Sequence, residues 1–251
     1  MVEYRGDVSV LTLDHGKVNA IDVEFCTMVA AELDSLLKNR VRAVVLTGRG
    51  TAFSAGVDLF RVVSGGREYV EKFLPALTDA LRKLFAFPRP VIAALNGHVI
   101  AGGCILACAC DVRIMAEGSW RLGIPELLVG VPFPAIAMEV LRFAVPRPHL
   151  AQLLYSGRNL TPAEALQIGL IDTIVPTDQL LDQACTKAAR LAAVPDKAFE
   201  MTKRELRAPY LKRFDAVRAA VDSEALEEWC APQTLVGIRN YLDRTVKRKD
   251  G

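Results

Sequence analysis

A break between a strand and a helix at residues 96–105 constrains this chain more than any other feature. The apolar run 90–95 stops at Asn96-Gly97, and an apolar, helix-like segment starts at Gly102-Gly103. The first N–H groups of a helix lack partners within it and favour negative charge. Glycines also let a ligand oxygen come close to the backbone. We therefore expect bare N–H donors behind a strand; a junction that only solves a packing problem is the alternative.

A second loop of small residues has the same character. Residues 50–59 follow the strand-like run 42–48 and include Ser54, Ala55 and Gly56. Two such loops, leaving neighbouring parallel strands at the same edge, can direct two backbone donors at one oxygen. That arrangement is an oxyanion hole, and the pair of loops predicts one.

Strand and helix signals alternate through the first half of the chain, and the second half is mostly helical. This order predicts an α/β fold with parallel strands and a site at their carboxyl ends. The predicted strands cover residues 8–13, 42–48, 88–95, 111–116 and 170–175. The predicted helices cover 23–39, capped by Asp22, 67–87 with a kink at Pro75, one starting at Thr161-Pro162, and 178–193, 196–208, 212–229 and 232–247.

Composition excludes several classes of protein. The 251 residues are 51% hydrophobic and 24% charged, which is typical of a globular domain. A net charge of +2 gives no reason to expect nucleic acid as a partner. No apolar run approaches the ~20 residues that span a bilayer. The N-terminus has no signal or transit pattern, so a cytoplasmic protein is expected, with a processed organellar form as the alternative.

The cysteines and histidines do not form a metal-binding pattern. Six cysteines are present, the three histidines are scattered, and no Cys-x-x-Cys occurs. Cys104 and Cys108 stand one helical turn apart in an apolar stretch. Buried, reduced thiols are the expected state, and no metal site is predicted.

Several separate motifs, in register from about residue 8 to the end, resemble those of the crotonase family, the enoyl-CoA hydratase/isomerase superfamily. The matching segments are residues 52–59, 90–97, 101–104, 110–114, 122–126 and 160–172. The resemblance implies an α/β, crotonase-like ββα spiral core over residues 1–195. It also implies a C-terminal helical trimerisation region over 196–251, a homotrimer or a dimer of trimers, and an acyl-CoA thioester as ligand.

The resemblance also assigns roles to the two loops. The backbone N–H groups of Val57 and Gly102 would bind the thioester oxygen, and one such donor typically contributes about 3–4 kcal/mol to lowering the barrier. No cofactor is expected, because coenzyme A is part of the substrate. Pocket walls are expected from residues 59–70 and 131–138. The residues expected to bind substrate or coenzyme A are Ala52, Phe53, Ser54, Ala55, Gly56, Asp58, Leu59, Gly103 and Ile105.

The acidic residues indicate which reaction the site performs. Hydratases of the family carry two glutamates, and here their positions hold Ile105 and Glu126. Isoleucine can neither activate water nor donate a proton. A single glutamate can still move a proton from C2 to C4, and this is the pattern of the mitochondrial-type Δ3,Δ2-enoyl-CoA isomerases. Pro125 departs from that pattern, since those isomerases tend to carry Asn there.

Other interpretations stay open at this level. Glu126 could be a surface or ion-paired residue, Asp58 is expected to cap a helix, and His98 is expected to pack or hydrogen-bond. Another crotonase reaction (hydration, decarboxylation or thioester hydrolysis) and a non-catalytic acyl-CoA-binding protein are the alternative functions. A solvated face, or else contacts to phosphates, is expected for the basic residues Lys197, Lys203, Arg204, Arg207, Lys212 and Arg213.

Overall fold

The computed structural model describes residues 1–246. Its strands are β1 (Val2–Arg5), β2 (Val8–Leu13), β3 (Ala43–Gly48), β4 (Ala52–Ser54), β5 (Val91–Leu95), β6 (His98–Ile100), β7 (Val112–Ala116), β8 (Leu122–Gly123) and β9 (Thr173–Val175). Its helices are α1 (Val23–Lys38), α2 (Leu59–Ala86), α3 (Gly102–Cys108), α4 (Glu126–Val129), α5 (Ala135–Ala144), α6 (Arg147–Ser156), α7 (Pro162–Gln167), α8 (Leu180–Ala192), α9 (Asp196–Cys230) and α10 (Pro232–Val246), with a 3-10 turn at Thr177–Gln179.

A six-stranded sheet in the order β1-β2-β3-β5-β7-β9 forms the centre. Only the edge pair β1–β2 is antiparallel; the other pairs are parallel. Alternate residues of the inner strands face opposite layers, as the two-residue period of a strand requires. Val44 and Leu46 pack toward α1 and α2, whereas Val45 and Ile92 pack toward α8. The five strands predicted from the sequence all belong to this sheet, which confirms the α/β fold.

A second, three-stranded parallel sheet, β4-β6-β8, stands beside the first and was not predicted. The chain reaches β4 and β6 through turns in which glycine is required. A Cβ on Gly48 would lie 2.4 Å from the Ala52 carbonyl oxygen, and one on Gly97 would lie 2.1 Å from the Thr51 oxygen. The Asn96 side chain joins the turns by accepting from the Gly48 N–H and donating to the Gly50 carbonyl. The Asn-Gly pair is therefore a structural junction between the two sheets.

Helix α2 differs from its sequence-based prediction in where it starts and where it breaks. Helix α2 starts at Leu59 rather than residue 67, because Asp58 accepts from the Arg61 N–H and caps it as expected. The break in α2 falls at Gly66 (φ 55°, ψ −147°) and not at Pro75, which keeps helical geometry. Only glycine adopts such a conformation without strain. Pro75 lies on the exposed side of the helix.

The predicted helices 196–208 and 212–229 are one helix, α9, with Pro209 inside it. Helix α9 packs along α5 and α2, and this tertiary packing outweighs the preference of a lone proline to end a helix. The last residue of the predicted helix 232–247 lies outside the described residues. The proposed division of the chain near residue 195 remains a prediction; α9 starts at Asp196.

The prediction of a solvated basic face was wrong for two residues on α9. Lys203 and Arg207 are buried, and their side chains lie 2.7 Å from the two carboxylate oxygens of Asp111. Arg207 also donates to the carbonyls of Phe85 and Ala109, at the carboxyl ends of α2 and α3. Pairing with Asp111 and these carbonyls offsets the cost of burying the two cations. The other four basic residues are exposed.

Candidate functional site

Two loops meet at the carboxyl edge of the second sheet. The loop after β4 contains Gly56, and the loop after β6 contains Ala101 and Gly102. A Cβ on Gly56 (φ +83°) would lie 2.6 Å from the Ala101 Cβ and 3.2 Å from the Gly102 nitrogen. Because β4 and β6 are parallel neighbours, both loops leave the sheet at the same edge. The close approach predicted for the two glycine-containing loops is therefore present.

The loop around Val57 is held by a short bridge to Ile21. The Ile21 N–H donates to the Gly56 carbonyl at 2.8 Å, and the Asp58 N–H donates to the Ile21 carbonyl at 2.9 Å. Successive peptide groups of an extended segment point in opposite directions. The N–H of Val57 consequently lies on the side away from Ile21.

Gly102 is the first residue of α3, so its N–H has no acceptor within the helix. The preceding Ala101 adopts φ 53°, ψ −129°, a conformation that normally requires glycine. Its own N–H donates to the Gly123 carbonyl, and its carbonyl accepts from Cys104 and Ile105. These bonds hold the turn in place and set the direction of the Gly102 N–H.

The strain at Ala101 can be measured. An alanine at positive φ costs of order 1–3 kcal/mol, so Ala101→Gly is expected to stabilise the protein by about 1 kcal/mol in urea unfolding, after the larger unfolded-state entropy of glycine is subtracted. Ala216→Gly, on the exposed side of α9, is the matched control and is expected to destabilise by about 1 kcal/mol. A loss of stability in both variants would mean that the turn is unstrained.

Glu126 is the first residue of α4 and lies next to the two loops, because β8 pairs with β6 just before it. Its side chain is 8% exposed, and its Oε2 has no hydrogen-bond partner among the described residues. Burial disfavours the charged carboxylate and raises the pKa of Glu126 to about 8. A carboxyl group of this kind can exchange a proton near neutral pH.

Glu126, Val57, Gly102 and Ile105 line one cavity of about 70 Å³. Ile105 is 4% exposed. The rest of the cavity lining is almost entirely apolar. Few other polar groups could therefore bind a polar ligand atom in place of the Val57 and Gly102 N–H groups. The rest of its lining is Ala55, Leu59, Leu77, Leu81, Ile100, Ala101, Pro125, Val129, Val131, Pro132, Phe133, Pro134, Ala137, Trp229 and Tyr241.

Several other residues predicted at the site pack behind the two loops and do not line the cavity. Ala52, Phe53 and Ser54 form β4 and are 0–2% exposed, outside the cavity lining. Ser54 donates its hydroxyl hydrogen to the Asn19 carbonyl. A Cβ on Gly103 would lie 2.5 Å from the Ser54 carbonyl oxygen, so this glycine permits α3 to pack on β4. Asp58 is the cap of α2.

His98 lies outside the cavity lining, as expected of a packing residue. Its Nδ1 accepts from the Arg121 N–H at 3.1 Å, and its ring contacts Trp120 edge to face.

The cysteines are unpaired thiols, four of them buried. In residues 1–246, no group of three or more His, Cys, Asp or Glu side chains has a geometry that could hold a metal ion. No helix of this part of the chain is long and apolar enough to cross a membrane.

The walls of the cavity agree only in part with the sequence prediction. Residues 131–134 and Ala137 lie where expected, but of residues 59–70 only Leu59 contributes. Sequence reasoning missed Trp229 and Tyr241, which come from α9 and α10 about a hundred positions after Glu126. No local pattern could have placed them there. A larger groove of about 470 Å³ between α2 and α9 contains neither Glu126 nor the two loops.

Comparison with known proteins agrees with these features. The enoyl-CoA hydratase/isomerase family model matches residues 3–246. The mitochondrial enoyl-CoA delta isomerase 1 of Rattus norvegicus is 31% identical over 212 residues, covering 82% of this chain and 73% of the relative. A putative enoyl-CoA hydratase of Thermus thermophilus is 35% identical over 227 residues, covering 88% and 89%.

Among solved structures, human mitochondrial delta3-delta2-enoyl-CoA isomerase aligns with a TM-score of 0.94 at 28% identity, covering 100% of this chain and 99% of that one. The fold is therefore crotonase-like, with a C-terminal helical region. Overall identity does not separate isomerase from hydratase, since relatives with both names match equally well. The family model and the structural match together show that this chain belongs to the enoyl-CoA hydratase/isomerase family.

Proposed function

We propose that this protein is an enoyl-CoA isomerase that converts 3-enoyl-CoA thioesters into 2-enoyl-CoA thioesters. One observation carries the proposal: among residues 1–246, Glu126 is the only carboxyl group that lines the cavity, and Ile105, which the family resemblance puts at the position of the second acid, lines it too. Double-bond migration needs one base that can return its proton, whereas hydration also needs a group that activates water.

In the proposed mechanism, the thioester oxygen accepts hydrogen bonds from the N–H groups of Val57 and Gly102. The Glu126 carboxylate removes a proton from C2, and the electrons of that C–H bond pass into a dienolate whose charge rests on the thioester oxygen. The protonated Glu126 then returns the proton at C4, and the double bond forms between C2 and C3. No atom is gained or lost, and the carboxylate is regenerated.

Ile105 contributes to this reaction by excluding water. Its buried side chain fills the place from which a second carboxylate would orient a nucleophile. Without an activated water beside C3, the 2-enoyl product cannot undergo conjugate addition and leaves the site unhydrated. The apolar surroundings also keep Glu126 basic enough to accept the C2 proton.

The substrate contacts that the proposal assigns to the chain lie on the two loops. Of the residues 52–57 expected to line the path of the adenine and pantetheine groups, Ala55 and Val57 lie at the cavity with Leu59, whereas residues 52–54 are buried in β4 behind them. Coenzyme A would enter as part of the substrate, and no separate cofactor is proposed. A homotrimer or a dimer of trimers is proposed from the family resemblance, to be measured by sedimentation.

Hydration of 2-enoyl-CoA is the second candidate, favoured by the 35% identity to the Thermus relative and by the Pro125-Glu126 pair. The purified protein should be incubated separately with trans-3-hexenoyl-CoA and trans-2-hexenoyl-CoA, and the products identified by mass and retention time. Conversion of the first without a gain in mass, together with no hydration of the second, supports the isomerase. A gain of one water by the second would favour the hydratase instead.

The pH dependence of turnover is expected to follow the ionisation of Glu126. Only the carboxylate can accept the C2 proton, and the pKa of Glu126 in the free protein is about 8. The value of kcat/KM should therefore rise about tenfold per pH unit below pH 8 and level off above it. Initial rates from pH 6 to 9.5 on trans-3-hexenoyl-CoA measure this. A flat or falling profile over that range would argue against Glu126 as the base.

A further inference from the structure

The volume of the cavity limits the acyl group that it can hold. At about 70 Å³, it has roughly half the volume of an engineered 150 Å³ cavity that binds benzene. Measured in the same way, one water needs about 10–15 Å³, so 70 Å³ has room for about five groups of that size. The two comparisons together leave room for about three to five carbons beyond the thioester carbonyl, and the reaction itself already uses C2, C3 and C4.

Most of the wall cannot move aside to make more room. Leu77 and Leu81 of α2 and Ala137 of α5 are 1–6% exposed. Trp229 is 3% exposed, and its Nε1–H donates to the Pro132 carbonyl at 2.9 Å. Its ring also lies against the Phe73 ring, with 6.1 Å between the two centroids. Displacing any of these side chains would disrupt the packing of α2, α5 or α9.

Phe133 differs from these wall residues because it is half-buried, so its ring has solvent on one side. Its backbone is fixed between Pro132, which is bound by Trp229, and Pro134, which precedes α5. A longer acyl chain could pass this point by turning the phenyl ring outward. The ring therefore stands between the cavity and the solvent at a point where the side chain, but not the backbone, can move.

We propose that the cavity selects short acyl groups of about four to six carbons and that the Phe133 ring sets this limit. The inference rests on the proposed function, since it takes the N–H groups of Val57 and Gly102 as the point from which the acyl chain is measured. The Phe133 side chain blocks the acyl chain. This side chain, and not the volume of the whole pocket, then determines which thioesters bind.

Binding of saturated thioesters tests the limit without requiring any chemistry. Butanoyl-, hexanoyl-, octanoyl-, decanoyl- and dodecanoyl-CoA should be titrated into the protein by calorimetry. Affinity is expected to rise about fourfold per added methylene up to hexanoyl-CoA, because each methylene is buried. Beyond that length it should stay level or fall. In Phe133→Ala, the rise should continue to about ten carbons, and Phe133→Leu should be intermediate.

Phe199→Ala is the matched control, because Phe199 is also half-buried but lies at a separate cavity beside Lys203. It should keep the chain-length profile of the unaltered protein. A continuous rise in affinity through dodecanoyl-CoA in the unaltered protein, or an unchanged profile in a folded Phe133→Ala, would overturn the inference. Parallel turnover of trans-3-hexenoyl-CoA separates the two hypotheses: a hexanoyl optimum without isomerisation would contradict only the proposed function, and isomerisation without a length limit would contradict only this inference.

Discussion

Replacing Glu126 with glutamine is expected to lower isomerase turnover by about 10³–10⁴-fold while leaving acyl-CoA binding within a few-fold of its original value. Glutamine has nearly the shape of glutamate but cannot accept the C2 proton. The readouts are kcat on trans-3-hexenoyl-CoA and the Kd of hexanoyl-CoA. Glu68→Gln, at an exposed position on α2, is the control and should keep full activity. Turnover within tenfold of the original in Glu126→Gln would rule out this residue as the proton carrier.

The same substitution should change how stability depends on pH. The pKa of Glu126 is raised to about 8 in the folded protein, against 4.5 for the free group, so between these values the folded state holds a proton that the unfolded state has lost. The unaltered protein should therefore lose stability as pH rises from about 4.5 to 8, at up to about 1.4 kcal/mol per unit, and level off above 8. Urea unfolding of Glu126→Gln should lack this component of the slope, whatever its stability at one pH. Identical slopes in both proteins would show that burial does not perturb Glu126.

Gly56→Ala is expected to have the second largest effect, because it forces the two loops apart. The new Cβ would lie 2.6 Å from the Ala101 Cβ and 2.8 Å from the Ile100 carbonyl oxygen, and backbone atoms cannot move away without shifting the turn. Loss of one aligned oxyanion donor typically costs about 10²–10³-fold in kcat. Overpacking together with an alanine at positive φ should also cost about 2–4 kcal/mol in stability.

Gly6→Ala separates the clash from the backbone strain. Gly6 also has positive φ (+61°), but a Cβ there would meet nothing within 4 Å. Its substitution should cost about 1 kcal/mol and leave kcat unchanged. Denaturant unfolding and initial rates on both variants make the comparison. If Gly56→Ala kept its kcat, the Val57 and Gly102 donors would not act on the same oxygen.

The sequence predicted the inner strands of the main sheet well because β2, β3, β5 and β7 are almost wholly buried. The exposed edge strand β1 was not predicted. Runs such as 42–48 and 90–95 are almost wholly apolar, and glycine or asparagine ends them. The second sheet could not be predicted in this way, because β4, β6 and β8 have only two or three residues each. A strand of that length is too short to show a recognisable alternation of apolar and polar residues. Their position depends on the turns at Gly48 and Gly97, which the sequence indicates only as breaks.

The site residues that belong to short motifs were predicted, as the long buried strands were. Those that depend on contacts between distant parts of the chain were missed. Val57, Gly102, Ile105 and Glu126 were identified from motifs, and the structure places all of them at one cavity. The roles of Lys203 and Arg207 were missed because an isolated basic residue on a helix gives no sign that the half-buried Asp111 faces it. The part of the wall formed by Trp229 and Tyr241 was missed for a related reason, since it depends on how the last two helices fold back over the core.

Helix α9 has a consequence for how such a chain can diverge. One part of it is fixed to Asp111, just before β7, by Lys203 and Arg207, and its far end brings Trp229 to the cavity, about 33 Å beyond Arg207 at 1.5 Å per residue. Every group proposed to take part in bond making lies before residue 127, whereas much of the wall around the acyl chain follows it. Substitutions late in the chain can therefore alter which thioesters are accepted while the reaction stays the same. Part of the substrate range is thus encoded apart from the reaction type, in a stretch of the sequence that is free to evolve at its own rate.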